Sequence, residues 1–474
     1  MKLILLKRQS HDRPDIDDLY RMRAELEDFL NEEVDFNDRT WRENFKTILD
    51  FQDSKGSFNL LDSYDIPSDS RVDYSHMPTY ICSAILMKAL IHDRESFEYD
   101  SQLSKGLKMS CARGLTGHGY DSLKGQIEAL NIFKKGHIRE FIDLYPNLCA
   151  EFTDMIAEIT DMFSLRESEG NFTGSWGESY EDDIKAINEY FSNRNVFVYG
   201  TLMKDEGNHG FLNTSSFVSK GIIEGYDMYD VGWYPAIVPG DGMIVGELYK
   251  VPNDDMPSID MLEGEGDLYK KKCEIVNRNG EKTLAFVYVY LYDVSDLEPI
   301  ASWKEHVWYV SYGSNMLFKR FRCYIEGGSY KGSKPRKPCR DQSLPAAQKA
   351  IEIPYDMYYA EYSSWGGGGV SFLDTSRKGR AIGVAYLITR EQFDHVAMQE
   401  NGRRYPDGLV GWYKDIIDLG MMDGFEVKTV TNNLLMDYND PSPDYLDTLH
   451  EGIRENRPEM SEGDIKNYLM GCIR

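Results

Sequence analysis

Four β-favouring residues, Val196-Phe197-Val198-Tyr199, run directly into Gly200-Thr201-Leu202. An apolar, β-branched and aromatic run reads as a strand, and the glycine after it reads as a tight turn. Backbone N–H groups in such a turn are free to face a ligand. The arrangement returns in "HVWYVSYGSNM" from His306, which sets Tyr312-Gly313-Ser314-Asn315 in the equivalent place. Other segments repeat in the same order. Tyr226-Asp227-Met228-Tyr229 is echoed by Tyr355-Asp356-Met357-Tyr358, and Gly246-Glu247-Leu248-Tyr249 by Gly383-Val384-Ala385-Tyr386. "MPSIDMLEGEG" matches "REQFDHVAMQENG", which puts Glu263 opposite Glu400. Matches in sequence order argue for a duplicated small-molecule domain.

The residues ahead of the first copy have a different texture. "DIDDLYRMRAELEDFLNEEV" carries Leu19, Met22, Leu26 and Leu30 at helical spacing, and "CAEFTDMIAEITDMFSL" does so with Phe152, Met155, Ile156, Ile159 and Phe163. Glycine-rich breaks fall at Gly56, Gly114 to Gly119 and Gly170 to Gly177. From about Asn195 short strands rich in Tyr, Val and Ile take over, the Asn279-Gly280 step marks a hairpin, and "MPSIDMLEG" reads as a helix. The expected organisation is a helical domain over 1–194 and two α+β domains over 195–300 and 301–474. Loop-like "GGSYKGSKPRKPCRDQSLP" and a helical tail at "DYLDTLHEGIREN" are additions to the second. Two glycine–aromatic turns in the helical part, at Gln52 to Phe58 and in "SEGNFTGSWGE", look like the helix-pair repeats of α/α-toroid proteins. Glycines that turn the chain between paired helices explain them equally well, and no chemistry is assigned there.

Composition narrows the partners. A net charge of −26 opposes phosphate backbones and anionic lipid, so neither nucleic acid nor membrane is expected to bind. Seven scattered cysteines, never spaced C-x-x-C, argue against a disulfide framework or structural zinc and suit a reducing cytoplasm. The opening "MKLILLKRQSHDRPD" is too briefly apolar for a signal peptide, and Ser83 and Lys88 interrupt the longest later apolar stretch. Metalloprotease, Walker A and nucleophile-elbow motifs are absent, and the Gly366 to Gly369 run lacks a phosphate-binding context.

At Tyr199-Gly200-Thr201-Leu202, "YPAIVPG" from Tyr234 to Gly240, and Leu262-Glu263-Gly264 followed by Leu268-Tyr269, the sequence resembles the γ-glutamylcyclotransferase-like (AIG2-like) family, including its branch acting on γ-glutamyl amines such as butirosin precursors. The second copy keeps Tyr312-Gly313-Ser314-Asn315 and Glu400, but has "SSWGGGGVSF" where "YPAIVPG" would stand. The resemblance implies two small mixed β-barrels with flanking helices and a cofactor-free, metal-free enzyme. Its substrate would be a small γ-glutamyl amine or peptide, cyclised to 5-oxoproline with release of the amine.

That chemistry suits the residue types. The α-amine attacks the γ-carbonyl of its own molecule, so the protein needs chiefly to hold a curled conformer and move a proton; such orientation is worth about 7–11 kcal/mol. A carboxylate with a pKa raised by burial can take the proton and pass it to the departing amine. Glu263 is the candidate in the first copy and Glu400 in the second. Backbone donors of Gly200-Thr201-Leu202 would hold the oxyanion and the α-carboxylate, with the hydroxyls of Tyr199 and Tyr269 at the rim; Tyr269 could equally be a core residue whose hydroxyl is satisfied by backbone. In the second copy Tyr312, Gly313, Ser314 and Asn315 take those places. Glu247 is expected to be structural, and Asn208-His209 to shape the loop. Two other functions fit the same residues: a non-catalytic scaffold whose helical domain contacts a protein partner, and γ-glutamyl transfer or hydrolysis.

Overall fold

In the first 194 residues apolar side chains recur every three or four positions, and this spacing becomes eight helices among the described residues. The computed structural model describes residues 16–58, 76–92, 98–111, 122–148, 150–278, 280–365 and 367–473. Gly114 to Gly119, Asn279 and Gly366 lie outside them, as does the side chain of Leu19. The chain divides into two compact units, Met1–Arg194 and Asn195–Arg474.

The helices of the first unit are α1 (Ile16–Asn31), α2 (Arg39–Asp50), α3 (His76–His92), α4 (Asp100–Ser110), α5 (Ser122–Lys135), α6 (Ile138–Leu144), α7 (Ala150–Ser168) and α8 (Glu181–Ser192). Met22, Leu26 and Leu30 of α1 are buried, as are Phe152, Ile156, Ile159 and Phe163 of α7. From Tyr80 to Ile91 nearly every residue of α3 is buried, which makes it the central helix of the unit. Its one lysine is accommodated there: Lys88 Nζ donates to Leu30 O at 2.8 Å and Glu32 O at 2.6 Å, satisfying carbonyls at the C-terminal end of α1. The two glycine–aromatic turns take similar shapes, each closed by an isolated bridge, Gln52 to Phe58 and Thr173 to Ser179.

The second unit contains two sheets. The first is built from β1 (Asn193–Val198), β2 (Ser216–Asp230), β3 (Pro235–Pro252), β4 (Tyr269–Arg278), β5 (Glu281–Tyr290) and β6 (Pro299–Ile300), with α9 (Met256–Glu263) between β3 and β4. Its order is β3-β1-β5-β4-β2-β6, and β2 also pairs with β3, so five strands pair around a circuit. The second comprises β7 (His306–Ser311), β8 (Ala347–Ser363), β9 (Gly368–Thr389), β10 (Asp415–Met422) and β11 (Phe425–Thr431), in the order β10-β11-β7-β9-β8. Helix α10 (Phe318–Glu326) follows β7, α11 (Arg390–Glu400) follows β9, and α12 (Pro443–Asn456) and α13 (Glu462–Gly471) form the tail.

The two sheets share several details. β1 runs parallel to β5 and β7 parallel to β11. The tyrosine after each leading strand donates to a carbonyl of that parallel neighbour: Tyr199 OH to Tyr288 O at 2.6 Å, Tyr312 OH to Val430 O at 2.7 Å. Gly246 and Gly383 also match. A Cβ on Gly246 would lie 2.4 Å from Val198 O, and one on Gly383 would lie 3.1 Å from Ser311 O, so both strands come close to the carbonyl just before the tyrosine.

Ile222 and Val245, on paired strands of the first sheet, join the hydrophobic core that contains Val307, Trp308 and Val384 of the second. Beside this shared core Lys220 Nζ donates to Asp341 Oδ2 at 2.7 Å and to Gln392 Oε1 at 3.4 Å. A cavity of about 300 Å³ runs along the same seam, with Lys220, Glu247, Lys304 and His306 in its wall.

Candidate active site

Glu263 is the last residue of α9. Gly264 stops the helix there by adopting φ +60°, ψ +48°, and its N–H caps the carbonyls of Asp260 and Met261. The glycine of "LEG" thus determines where the carboxylate leaves the helix. Upstream, Asp260 fixes the helix laterally, accepting from Lys271 Nζ at 2.8 and 2.9 Å and from Tyr288 OH at 2.6 Å. Tyr288 is also the residue whose carbonyl accepts from Tyr199. One tyrosine therefore ties the strand that leads into the glycine turn to the helix that carries the acid.

The turn itself is held from outside. Asn208 donates through its backbone to Thr201 O at 2.9 Å and through Nδ2 to Thr201 Oγ1 at 3.0 Å. His209 Nδ1 donates to Leu202 O at 2.9 Å. Asn208 and His209 do shape the loop. Among the described residues the N–H groups of Gly200, Thr201 and Leu202 have no acceptor. Gly200 is there for close approach: a Cβ would lie 2.5 Å from Pro235 Cγ, and its φ is not in the left-handed region.

Tyr199, Gly200, Thr201, Leu202, Glu263 and Tyr269, all singled out from sequence, line one small cavity, together with Tyr234, Pro235 and Tyr288. Reading the sequence did not single out Tyr288 or assign Tyr234 a role; the alternation Tyr288, Tyr290 in "VYVYLY" was the signal that could have placed a tyrosine on this face. Glu263 keeps a partly accessible edge at the cavity, yet the surrounding apolar atoms deprive its carboxylate of water and raise its pKa to about 7. No hydrogen-bond partner holds its carboxylate among the described residues.

One expectation is revised. The hydroxyls of Tyr199 and Tyr269 do not serve as loose donors at the rim: Tyr199 donates to Tyr288 O and Tyr269 to Pro235 O, at 2.6 and 2.8 Å, so that Tyr269 takes the core alternative. Both rings are buried, and an unpaired hydroxyl there would be costly, so the framework takes them. They contribute rings to the wall. Glu247 is structural as expected, accepting from Lys204 N at 2.8 Å and Tyr249 OH at 2.9 Å.

The residues expected to form a second site, in the part of the chain that holds the second sheet, are arranged differently. Glu400 is again the last residue of a helix, α11, but Asn315 Nδ2 donates to its Oε1 at 2.5 Å. Ser314 Oγ accepts from the buried Arg320 Nε at 2.7 Å, and Tyr386 OH donates to Asn315 O at 2.9 Å. Tyr312 spends its hydroxyl on Val430 O, as noted, and Gly313 is extended at φ −113°. Asn315 stands where the first copy has Leu202. Here the acid and the turn engage each other.

Among the described residues no group of histidine, cysteine, aspartate and glutamate side chains could hold a metal, and no helix is long and apolar enough to cross a membrane. The six cysteines there are free thiols.

The model of the family described as gamma-glutamyl cyclotransferase, AIG2-like, matches residues 196–306. The gamma-glutamylcyclotransferase family protein YtfP of Escherichia coli K12 is 33% identical over 107 residues, 23% of this chain and 91% of the relative. The chain belongs to the γ-glutamylcyclotransferase, AIG2-like family. The gamma-L-glutamyl-butirosin B gamma-glutamyl cyclotransferase of Niallia circulans is 32% identical over 120 residues, 24% of this chain and 76% of that enzyme. Histone deacetylase 5 of Arabidopsis thaliana is 30% identical over 204 residues, and the chain spans only 30% of that relative's length. The family match lies on the copy that contains Glu263.

Proposed function

We propose that the first copy cyclises a γ-glutamyl amide to 5-oxoproline and releases the amine. The observation that carries this reading is that Glu263 and the unbonded N–H groups of Gly200-Thr201-Leu202 meet in one cavity. The substrate α-carboxylate and γ-carbonyl oxygen are held by those N–H groups. The α-ammonium gives a proton to the Glu263 carboxylate, and the freed nitrogen attacks the γ-carbon. As the new C–N bond closes the ring, Glu263 passes its proton to the departing nitrogen and the bond from that nitrogen to the γ-carbon breaks; the ring nitrogen then gives up its remaining extra proton, which ends on the released amine. No protein nucleophile takes part, because both reacting groups belong to one molecule.

We also read 195–300 and 301–474 as tandem copies of one domain, each a small barrel built on its leading strand. The matched Tyr199 and Tyr312 bonds, the matched Gly246 and Gly383 and the parallel strand pairs support this. We assign turnover to the first copy because Glu400 is already engaged by Asn315, whereas Glu263 lines a cavity of about 30 Å³ and has no hydrogen-bond partner among the described residues.

A panel of γ-glutamyl amides followed by mass spectrometry for 5-oxoproline tests the assignment. Glu263→Gln should lower kcat by about 10² or more, the usual contribution of a general acid–base group, while Glu400→Gln leaves turnover in place. Free glutamate as the product would instead mean hydrolysis, and no product from any amide would remove the catalytic reading.

A further inference from the structure

The wall of the cavity continues outward as a series of aromatic rings. Tyr234 and Tyr269 line the cavity with ring centroids 6.2 Å apart. Tyr269 meets Tyr290 at 5.3 Å, and Tyr290 meets Tyr292 at 5.7 Å. The register of β4 against β5 produces the middle contact, since Tyr269 and Tyr290 are directly opposite. Within β5, Tyr288 of the cavity wall and Tyr290 share a face, which carries the aromatic surface outward from the cavity. Exposure rises along the series, from buried Tyr269 through half-buried Tyr290 to Tyr292, which is 53% exposed. Leu291 and Trp233, the chain neighbours of Tyr292 and Tyr234, are 50% and 89% exposed. Apolar surface continuous with a cavity is characteristic of a ligand site.

A second observation concerns charge. Among the described residues lining the cavity, Glu263 is the only ionisable acid or base other than tyrosine; there is no lysine, arginine or histidine. The turn supplies backbone donors for one carboxylate, that of the glutamyl moiety. A leaving group with its own carboxylate would meet aromatic rings and an acid, with no cation in the cavity lining to pair with it.

We propose that the ladder Tyr234–Tyr269–Tyr290–Tyr292 receives the amine side of the substrate, and that this amine is an arylalkylamine without a carboxylate. The inference rests on reading the cavity as a γ-glutamyl site. It adds which amide the site prefers and which residues choose it. Tyr290 and Tyr292 are specificity residues that touch the leaving group and take no part in proton transfer.

Three substrates separate the possibilities: γ-glutamyl-phenethylamide, γ-glutamyl-ethylamide and γ-glutamyl-phenylalanine, assayed with the full-length protein by 5-oxoproline release. Phenethylamide should exceed ethylamide in kcat/KM by about three- to tenfold for each tyrosine ring that its phenyl group meets. It should also exceed γ-glutamyl-phenylalanine, which has the same ring and an added carboxylate. Tyr292→Ala and Tyr290→Leu should shrink the phenethyl-to-ethyl ratio, mainly through KM. Both changes fall on accessible side chains, and circular dichroism checks that the fold is intact. Equal or better turnover of ethylamide, or a ratio unmoved by both variants, overturns the ladder and leaves the cyclotransferase reading standing. A preference for γ-glutamyl-phenylalanine overturns the charge argument. Failure of all three substrates to yield 5-oxoproline removes the reading of the site and this inference with it.

Discussion

Glu263 holds its proton to about pH 7 because the cavity withholds water from its charged form. Only the ionised carboxylate can accept from the α-ammonium, so kcat/KM should rise with pH through a limb near 7 that Glu263→Gln abolishes along with the activity. Stability should respond in the opposite sense. The folded-state pKa lies above the ordinary value of 4.5, so between about 4.5 and 7 the unfolded chain loses this proton first. What the neutral acid contributes to stability is therefore present below 4.5 and lost as pH rises through 7. Urea unfolding should find Glu263→Gln more stable than the parent at pH 8, by ~1–2 kcal/mol after allowing for the accessible edge, and equal to it at pH 4.5.

At the scale of elements, the site depends on how α9 is anchored. Tyr288 joins β1 to α9 through its carbonyl and its hydroxyl, and only the hydroxyl can be removed by mutation. Tyr288→Phe deletes the bond to Asp260 and should cost ~1.5–3 kcal/mol, the range for hydrogen bonds to charged groups. The larger effect should fall on kcat, with KM little changed, because the acid drifts while the turn stays in place; steady-state kinetics on a γ-glutamyl amide reads the split. The elements carrying the site were legible in the sequence because their signals are local. "VFVYG" already contains a strand and its turn, and "LEG" a helix end and its stop. What could not be read was which acceptor each hydroxyl takes. Tyr269 donates to Pro235 O, 34 positions away, and nothing around Tyr269 in the sequence announces that acceptor. Nor could sequence foretell that Asn315 would engage Glu400, since Leu202 at the matching position makes no such bond and the two residues lie 85 positions apart.

For the second unit as a whole, the seam between the sheets is where integrity should be won or lost. Lys220 is almost wholly buried, its side chain 4% exposed against 22% for Asp341, and burial pushes its pKa down. Replacing it with methionine leaves Asp341 without its cation in a half-buried place. Lys220→Met should destabilise the unit by ~3 kcal/mol, as breaking a buried pair does, and adding Asp341→Leu should restore much of the loss. Denaturant melts of the single and double variants decide this. Recovery in the double variant identifies the uncompensated charge, not lost packing, as the cause.

The parallel pairing of β1 with β5 has a consequence for how the protein comes to exist. Tyr199 and the carbonyl it binds on Tyr288 are 89 positions apart. A ribosome that has released the chain only as far as Gly280 has already made the glycine turn, Asn208, the helix ending in Glu263 and Tyr269. It has not made the strand against which β1 docks, so the nascent polypeptide holds the parts of a cradle with nothing to align them. The cradle is therefore closed only when Glu281–Tyr290 emerges, with all of β7 to β11 still to be made.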